Sequence, residues 1–403
     1  MPGPDVLLVA NNFPPVRGGS AVVYANLAAQ AGGRIMVLAP SRSYSHGWPL
    51  IGWREHDRRA AYRVVRLPLL RTVIKEHLSP FGKLWHLLED LAIRVRLCWV
   101  LLRILRKERP RAVCIGELLA SGWLVRLLAH MRGVRAVIYV HGEEITTGDA
   151  YDRDCSRRRR ALLTADGIIV VSRFTQSAVE ALLQNHASPP IALIENGVDT
   201  ARFSVGAKNA WLAAQYGLQG RFVFVSVCRL LEKKGIDHAL RAFAQLLPRH
   251  PDSRFLVVGS GSYREALIAL VEQLGIGDAV VFAGDVPEGD LVEHYRLGDV
   301  FVMPNRAMPN GDTEGFGLVF LEANSCGVPV IAGADGGSRD AVQHGENGLV
   351  VDGHSVDDIC AAMLLLREDA AERDRLRRGG LAAAARADWA NRTQAFLEFC
   401  TQG

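Results

Sequence analysis

The stretch DTEGFGLVFLEANSCGVPV, residues 312–330, joins a glycine-rich turn, a helical pattern and the first residues of an apolar strand. If its helix begins near Phe316, the first free backbone amides lie beside Glu314, and Glu322 projects about two turns further along. A helix N-terminus with small neighbours binds phosphate, and carboxylates beside it accept hydrogen bonds from sugar hydroxyls. The stretch therefore indicates a phosphate and sugar site on an α/β unit. The alternative is an ordinary capped helix with acidic residues in its early turns.

Short apolar runs rich in Val and Ile alternate with longer helical patterns on the N-terminal side of this stretch, which is typical of parallel βαβ units. The predicted strands are Asp5–Ala10, Arg34–Ala39, Ala112–Gly116, Arg135–Val140 and Gly167–Val171, then Arg221–Val227, Arg254–Val258, Ala279–Ala283, Asp299–Met303 and Pro329–Ala332. Uninterrupted apolar runs indicate strands that are covered on both faces. We therefore predict an α/β protein with two Rossmann-like, doubly wound parallel-sheet domains facing across a cleft.

The predicted domain boundary lies in Glu195–Asp199, because Asn196-Gly197 is a turn signal and the residues that follow have little periodicity. The first domain is expected to span residues 1–199 and the second residues 200–385. A C-terminal helix over 386–403 is expected to pack back on the first domain.

Composition excludes several classes of protein. Apolar residues make up 49% of the 403 residues, and the net charge of +4 gives no reason to expect a nucleic-acid partner. The seven cysteines contain no C-x-x-C pair, so neither a disulfide framework nor a structural zinc site is expected. The sequence shows no signal peptide and no apolar run long enough for a membrane span. We expect a cytoplasmic globular protein.

A second candidate site, Val227–Gly235, follows the first predicted strand of the second domain. Ligands of open α/β sheets bind at the carboxyl ends of strands, so Arg229 and Lys234 are well placed. Their positive charges would neutralise a diphosphate as its bond to a sugar breaks. The alternative is a solvated basic loop, which is our interpretation of Lys233.

Two features of the first domain point to the same edge of a sheet. Gly18-Gly19 lies at a strand-to-helix turn, where glycines let the backbone approach another molecule closely, or else form a flexible loop. His141 directly follows the strand Arg135–Val140, where it can donate a hydrogen bond into the cleft or simply satisfy local structure.

Two weaker motifs are discounted. Asp152-Arg153-Asp154 matches a metal-binding D-x-D pattern, but the basic run Arg157–Arg160 after it indicates a surface helix, and no metal site is predicted. Gly259-Ser260-Gly261-Ser262 resembles the opening of a dinucleotide fingerprint, yet Arg264 stands where the third glycine belongs, which favours an ordinary turn.

The segment Phe81–Lys107 is predicted to be a long amphipathic helix with Trp85, Trp99 and several arginines. We favour packing of this helix against the first sheet. Peripheral contact with an anionic membrane is the second hypothesis.

Together these motifs resemble the family 4 retaining glycosyltransferases of GT-B fold, or glycosyl transferases group 1, and look closest to bacterial mannosyltransferases of the phosphatidylinositol-mannoside type. The resemblance rests on the E-x7-E motif of Glu314 and Glu322, the R-x4-K pair of Arg229 and Lys234, the Asn196–Asp199 turn and Pro304. It covers nearly the whole chain and is strongest over Arg221–Val351.

The resemblance implies a role for each candidate residue. Glu322 would bind the ribose, Glu314 the donor sugar, and Arg229 and Lys234 the diphosphate. His141 would contact the transferred sugar. The remaining contacts implied to the nucleotide and its phosphates come from Phe316, Gly317, Leu318, Gly18, Gly19, Gly284 and Val286.

The resemblance also implies the reaction. A hexose, mannose from GDP-mannose or else the sugar of a UDP-sugar, would move to a lipid-linked or polysaccharide-precursor acceptor bound by the first domain. Attack on the same face as the leaving diphosphate would retain the anomeric configuration without a metal or cofactor. The protein would be cytoplasmic, with contact at the inner face of the cell membrane as a further hypothesis. The alternatives are a sugar-nucleotide epimerase of this fold and a non-catalytic sugar-nucleotide-binding subunit.

Overall fold

The computed structural model describes residues 3–73, 79–148, 152–184 and 186–402. Within these ranges the chain forms two compact units. The first comprises the residues up to Val171, Thr175–Ile194 and the residues from Trp389 onward, and the second comprises Ser172–Phe174 and Glu195–Asp388. The chain passes from the first unit to the second between Ile194 and Glu195, at the start of the Glu195–Asp199 turn. Val198 N–H donates to Ala387 O at 2.8 Å, which holds this turn in the second unit.

The strands are β1 Val6–Val9, β2 Ile35–Pro40, β3 Arg63–Leu67, β4 Ala112–Ile115, β5 Arg135–Val140, β6 Gly167–Val170, β7 Ile191–Leu193, β8 Phe222–Val227, β9 Ser253–Val258, β10 Val280–Gly284, β11 Val300–Met303, β12 Val330–Gly333 and β13 Gly348–Val351. The helices are α1 Gly19–Gln30, α2 Trp53–Arg59, α3 Pro80–Glu108, α4 Leu118–Ser121, α5 Trp123–Leu128, α6 Glu143–Thr146, α7 Ser156–Thr164, α8 Arg173–Leu182, α9 Ala210–Gln215, α10 Ile236–Leu246, α11 Arg264–Gln273, α12 Leu291–Leu297, α13 Leu318–Ser325, α14 Ser338–Ala341, α15 Val356–Glu368, α16 Ala370–Arg386 and α17 Trp389–Thr401. Short 3-10 turns lie at Glu232–Lys234, Gly277–Ala279 and Glu288–Asp290.

The first unit is built on a parallel sheet with the strand order β3-β2-β1-β4-β5-β6-β7. Strands β1 and β4 are buried along their whole length, because helices cover both faces. The strand order reverses between β1 and β4, so the loops after these strands border the crevice in which open α/β sheets bind ligands. The C-terminal helix α17 contacts α1, β1, β4 and β5 of this unit.

The second unit repeats the plan with the order β10-β9-β8-β11-β12-β13, again parallel. Its strand order reverses between β8 and β11, which puts the loops after β8 and β11 at the equivalent crevice. The predicted α/β class with two doubly wound parallel sheets is confirmed. Each predicted strand is present, with ends within one residue of the expected positions.

Strands β3, β7 and β13 were not predicted. All three lie at sheet edges; partial exposure breaks the apolar pattern of β3 and β7, whereas β13 is mostly buried. Arginines flank the two valines of β3, β7 has only 3 residues, and β13 begins at a glycine. Edge strands need less apolar sequence, because one side of them is open.

The predicted amphipathic helix is α3, which has 29 residues and an N-cap serine, Ser79, whose hydroxyl accepts from Gly82 N. Its C-terminal half packs into the core of the first unit through Leu97, Leu101 and Ile104. The packing hypothesis therefore holds for this half alone. Among the described residues, no helix combines the length and the apolar character that crossing a membrane requires.

Candidate active site

Helix α13 begins at Leu318, two residues later than the predicted start near Phe316. The helix cannot begin earlier because Gly317 has a φ of 91°. This value lies in the left-handed region, which an α-helix cannot include. Phe316 is buried and precedes the helix. Phe320 N–H donates to Gly317 O at 3.1 Å. The amides of Leu318 and Val319 have no acceptor within the helix, as at any helix N-terminus, and they suit an anion.

Arg229, Lys234 and Glu314 converge in front of this helix. Lys234 Nζ and a carboxylate oxygen of Glu314 form a close ion pair between two side chains that are mostly buried. Burial alone would raise the pKa of Glu314, but Lys234, together with Lys233 and Arg229, lowers it below its usual value. Arg229 is exposed. The cluster thus carries excess positive charge and a carboxylate that stays ionised at neutral pH.

The second glutamate of the motif, Glu322, sits in a different environment. Its carboxylate accepts a hydrogen bond from Tyr295 Oη at 2.6 Å, and Tyr295 is fully buried. Burial raises the pKa of Glu322, and no cation pairs with it as Lys234 pairs with Glu314 in the described chain. Tyr295 therefore orients one oxygen of Glu322 and leaves the carboxylate able to bind hydroxyl groups.

The backbone around Glu314 is held by two glycines that the sequence analysis missed, Gly336 and Gly337. A Cβ on Gly336 would lie 2.2 Å from Glu314 O, and one on Gly337 would lie 2.0 Å from Gly315 O. Gly337 N–H donates to Glu314 O at 2.8 Å. The available signal was a pair of consecutive glycines three residues after the end of β12.

The Gly259-Ser260-Gly261-Ser262 turn after β9 packs against the loop that carries Arg229. A Cβ on Gly259 would lie 2.0 Å from Cys228 O, and one on Gly261 would lie 2.2 Å from Leu230 O. These glycines let the backbone on either side of Arg229 pack against the turn. Their role in positioning Arg229 explains the pattern without a dinucleotide.

Lys233 is not a solvated loop residue, contrary to our expectation. It is buried, and its Nζ donates to Asp312 Oδ1 at 2.6 Å and to Thr313 O at 3.2 Å. Nearby, Arg306 donates two hydrogen bonds to the Asp237 carboxylate, at 2.8 and 3.0 Å. The loop that carries Glu314 is thus fixed by buried ion pairs, which spacing along the sequence could not reveal.

Gly284 and Val286, predicted to meet a nucleobase, lie at the carboxyl end of β10. Gly284 has a φ of 70° and a Cβ there would find nothing within 4 Å in the described structure. Glu288, two residues after Val286, accepts a hydrogen bond from Arg202 Nη1 at 2.6 Å. The loop is open enough for a flat ligand to approach its backbone.

In the first unit, His141 follows β5 and lies against two tyrosines. Its Nε2 is 2.7 Å from Tyr24 Oη, and the Tyr24 hydroxyl donates to Gly116 O. Because that proton is used, Nε2 must be the donor to Tyr24, and Nδ1 is an acceptor in neutral His141. Burial lowers the pKa of His141 to about 3, so the ring is neutral at neutral pH. The side chain would accept, not donate, a ligand's hydrogen bond.

Gly18 and Gly19 lie at the start of α1, where Gly18 is the N-cap. Gly18 has an extended backbone with a φ of 164°, which any residue can adopt. A Cβ on Gly18 would meet no described atom within 4 Å. Neither conformation nor packing within the protein therefore requires this glycine.

The D-x-D pattern is structural. Asp152 is buried and accepts from Arg157 N at 2.8 Å, from Arg158 N at 3.0 Å and from Arg158 Nε at 3.0 Å. It therefore holds the start of α7 and neutralises a buried arginine. Across the described ranges, no group of three or more His, Cys, Asp or Glu side chains is arranged to hold a metal ion.

Comparison with known families finds two matches that together cover most of the chain. Residues 17–202 match the family described as "Glycosyltransferase Family 4". Residues 212–382 match the family described as "Glycosyl transferases group 1".

Among curated proteins, the chain is similar to a "GDP-mannose-dependent alpha-(1-6)-phosphatidylinositol monomannoside mannosyltransferase" of Mycolicibacterium smegmatis. The two are 34% identical, over 89% of this chain and 88% of the relative. A "D-inositol 3-phosphate glycosyltransferase" of Acidothermus cellulolyticus is also 34% identical, over 81% of this chain and 75% of the relative.

Among solved structures, Anabaena Alr3699/HepE in complex with UDP and glucose superposes with a TM-score of 0.76. The alignment covers 99% of both chains at 20% identity. At this identity the likeness supports the fold.

Proposed function

The chain belongs to the glycosyl transferases group 1 and is a glycosyltransferase, and from this premise we propose that it transfers mannose from GDP-mannose to a phospholipid-linked inositol acceptor. The names of the two curated relatives, which specify GDP-mannose, a phosphatidylinositol monomannoside and an inositol phosphate, support this donor and acceptor.

The observation that carries this proposal is the cluster of Arg229, Lys234 and Glu314 in front of the N-terminus of α13. A guanidinium, an ammonium and the free amides of a helix N-terminus lie near Glu314, and together they are the donor set that a diphosphate needs. The ammonium of Lys234 has three N–H donors, so it can keep Glu314 in place and still bind a phosphate oxygen. Glu314 and Glu322 supply acceptors for hydroxyls of the sugar and the ribose.

The reaction is a substitution at C1 of the donor sugar. The acceptor hydroxyl oxygen bonds to C1 on the face from which the phosphate leaves, and the C1–O bond breaks. The electron pair stays on the phosphate oxygen, which also takes the proton of the acceptor hydroxyl. Arg229, Lys234 and the amides of α13 stabilise the negative charge where it develops. The anomeric configuration is retained, and these cations take the electrostatic role that a metal ion has in other enzymes.

Isothermal titration with GDP-mannose, UDP-glucose and ADP-glucose tests the donor. We expect GDP-mannose to bind, and Glu322→Ala to weaken binding by about tenfold or more because a carboxylate contact to hydroxyls is lost. Glu265→Ala, on an exposed face of α11, is the matched control. Preference for another nucleotide would contradict the proposed donor.

Acceptor-dependent release of GDP tests the reaction class. A transferase releases GDP in proportion to acceptor consumed, whereas an epimerase converts the donor without an acceptor. The anomeric configuration of the product, read from its one-bond C1–H1 coupling in NMR, tests retention. Full activity in the presence of a strong chelator is the result expected for a metal-independent enzyme.

An apolar stripe on α3 supports contact with the membrane that would carry this acceptor. Phe81, Trp85, Leu88, Val95 and Trp99 are 51–78% exposed and are spaced by three, four or seven residues, so they lie on one face. Trp99 carries Arg103 over its ring at 5.6 Å. Exposed aromatic and aliphatic side chains beside arginines are typical of helices at an anionic lipid surface. We place this stripe at the bilayer surface.

Co-sedimentation with vesicles tests the membrane contact. We expect binding to vesicles that contain phosphatidylinositol, weaker binding to phosphatidylcholine alone, and a loss of about tenfold for Trp85→Ser/Leu88→Ser, since apolar area no longer enters the lipid. Leu365→Ser, at an exposed leucine of α15, is the control. Binding that ignores both lipid charge and the α3 substitutions would contradict the contact.

A further inference from the structure

Two cysteines from distant parts of the chain meet inside the first unit. Cys114 lies within β4, and Cys400 lies in the last turn of α17. Both side chains are completely buried, with an exposed fraction of 0%. Neither cysteine was assigned a role from the sequence, because no local pattern relates residues so far apart.

The alternation of side chains along β4 decides which way Cys114 points. Its neighbours Val113 and Ile115 belong to the apolar cluster that includes Leu97 and Leu101 of α3. Successive side chains of a strand point to opposite faces of the sheet. Cys114 therefore points to the face opposite α3.

Aromatic packing shows that α17 covers this second face. On the neighbouring strand β5, Ile138 and Val140 join the cluster with α3, so Tyr139 points the other way, as Cys114 does. The ring of Phe396, on α17, lies 6.1 Å from the ring of Tyr139. Helix α17 also contacts β4 itself. Cys114 is therefore covered by α17.

The last turn of α17 is held beside the start of β4. Nη2 of Arg111, the residue before β4, donates to Thr401 O at 2.9 Å. Cys400 adjoins Thr401 and follows Phe396 by four residues, so it faces the sheet as Phe396 does. Burial raises the pKa of Cys114 well above its usual value, and hydrogen bonding with the Cys400 thiol raises it further. The two thiols thus lie in contact.

Two thiols in contact are the reactants of a disulfide. We propose that Cys114 and Cys400 form an oxidative modification site, at which a peroxide converts the two thiols into a disulfide that joins α17 covalently to the first sheet. In the closed structure both thiols are shielded from solvent and Cys114 is protonated, so the reaction starts when α17 lifts from the sheet. The site is independent of the proposed glycosyl transfer.

Atoms and electrons balance with one hydrogen peroxide for each disulfide. In the open state the Cys400 thiolate attacks the peroxide, so that an S–O bond forms and the O–O bond breaks. The departing hydroxide takes up the proton that the thiol released. When α17 returns, the Cys114 sulfur attacks the sulfur of the Cys400 sulfenic acid, an S–S bond forms, and the S–O bond breaks. The second hydroxide leaves as water with the proton of Cys114. Both sulfurs are oxidised, and both peroxide oxygens are reduced to water.

The disulfide changes how the first unit opens. It keeps α17 on the sheet, because the helix can no longer leave without breaking a covalent bond. It also joins a strand that precedes the second unit to a helix that follows it, and so closes a long loop in the unfolded chain. Oxidation should therefore protect the first unit against unfolding.

Peptide mapping by mass spectrometry without reductant tests the site after exposure to hydrogen peroxide. The parent protein for the test is Cys98→Ser/Cys155→Ser, which removes two partly exposed cysteines. We expect a cross-linked pair of peptides that contains Cys114 and Cys400, lighter than the separate peptides by two hydrogen atoms. Cys400→Ala should lose this pair, whereas Cys360→Ala, at a buried cysteine of α15, should keep it.

Phe396→Ala in the same parent tests the opening step, because the variant loosens α17 from the sheet. We expect cross-linking at least about tenfold faster than in the parent, since the open state is more populated. Glu398→Ala, on the exposed side of α17, is the matched control. Equal rates in Phe396→Ala and in the parent would contradict reaction through the opening of α17.

Hydrogen exchange compares the oxidised and reduced forms of the parent. We expect exchange in α17 to slow about tenfold or more on oxidation and to recover after reduction with dithiothreitol. Peroxide treatment that leaves both thiols free, or that joins either of them to another cysteine, overturns the proposal. Sulfinic or sulfonic acid at Cys400 without the cross-link also overturns it. If Cys400→Ala does not fold, the peptide map of the parent decides the test by itself.

Discussion

At the scale of single residues, the ion pair of Lys234 and Glu314 is expected to contribute both to the stability of the fold and to catalysis. Both side chains are mostly buried, so removing one leaves an uncompensated charge. The same ammonium is proposed to stabilise the leaving diphosphate. The two roles can be separated, since stability is measured without substrate.

We expect Lys234→Ala to lower kcat by about 100- to 1000-fold, the loss typical of one group that stabilises developing charge. It should also destabilise the fold by about 3 kcal/mol, because the Glu314 charge remains buried without a partner. Transfer rates and urea unfolding measure the two effects. Lys208→Ala, at a more exposed ion pair with Asp299, is the control. A wild-type rate in Lys234→Ala would remove this residue from the mechanism.

Burial raises the pKa of Glu117, which follows β4, and this shift predicts a pH-dependent stability. The folded pKa of about 7 lies above the ordinary 4.5, so the folded state holds a proton that the unfolded state releases between these values. The contribution of Glu117 to stability is therefore complete below about pH 4.5 and is lost as pH rises through about 7. His141 acts in the opposite sense, since its lowered pKa costs stability on acidification.

Glu117→Gln removes the titration of Glu117 and leaves that of His141 unchanged. Between pH 5 and pH 8 the free energy of unfolding of the variant should rise relative to that of wild type, by an amount on the order of 3 kcal/mol at most. Thermal unfolding at both pH values measures the difference, with Glu180→Gln, on the exposed surface of α8, as the control. A difference that does not change with pH would mean that Glu117 titrates normally.

At the scale of elements, the start of α13 depends on one left-handed residue. The φ of 91° at Gly317 lets the chain turn from the Glu314 loop into the helix. Any side chain there would be strained, and a Cβ would also lie 2.5 Å from the Phe320 ring. The backbone conformation of Gly317 therefore sets the position of the α13 N-terminus relative to the Glu314 carboxylate.

Gly317→Ala should cost about 1–3 kcal/mol of stability and weaken GDP-mannose binding, because the helix amides no longer face the same point. Gly277→Ala is the matched control, since its Cβ would meet no described atom within 4 Å and its φ is not left-handed. Isothermal titration compares the two variants. An unchanged affinity of Gly317→Ala for GDP-mannose would mean that the amides of α13 do not bind the donor.

The central strands could be predicted from sequence because burial on both faces requires continuous apolar runs, as in β1, β4 and β8. The edge strands β3 and β7 could not, since partial exposure removes that requirement. Motif spacing also singled out Arg229, Lys234, Glu314 and Glu322 as candidates, but it could not reveal the Lys234–Glu314 ion pair or the Tyr295–Glu322 hydrogen bond. The buried ion pair of Lys233 and the packing of Gly336 depend on contacts between distant segments, which no local pattern encodes.

At the scale of the whole molecule, the chain leaves the first unit after Ile194 and returns to it at Trp389. Helix α17 packs on β1, β4, β5 and α1, and its Phe396 is fully buried with its ring 6.1 Å from that of Tyr139. Arg135 Nη1 donates to Phe399 O at 2.9 Å. The core of the first unit is thus incomplete without a segment that follows the second unit in sequence.

Phe396→Ala should therefore destabilise the first unit by about 3–5 kcal/mol, the usual cost of truncating a buried phenylalanine. Hydrogen exchange read by mass spectrometry should show faster exchange in β1, β4 and β5, with β8 and β9 unchanged. Glu398→Ala, on the exposed side of the same helix, is the control. Uniform loss of protection in both units would mean that they unfold as one.

This return of α17 also sets the order in which a growing chain can fold on the ribosome. The sheet of the first unit is synthesised early, but the helix that covers β1, β4 and β5 emerges after the whole second unit. During that interval the second unit can complete its core while the first presents uncovered apolar strands to chaperones. A message truncated before codon 389 would then yield a protein whose earlier half is the part recognised and degraded.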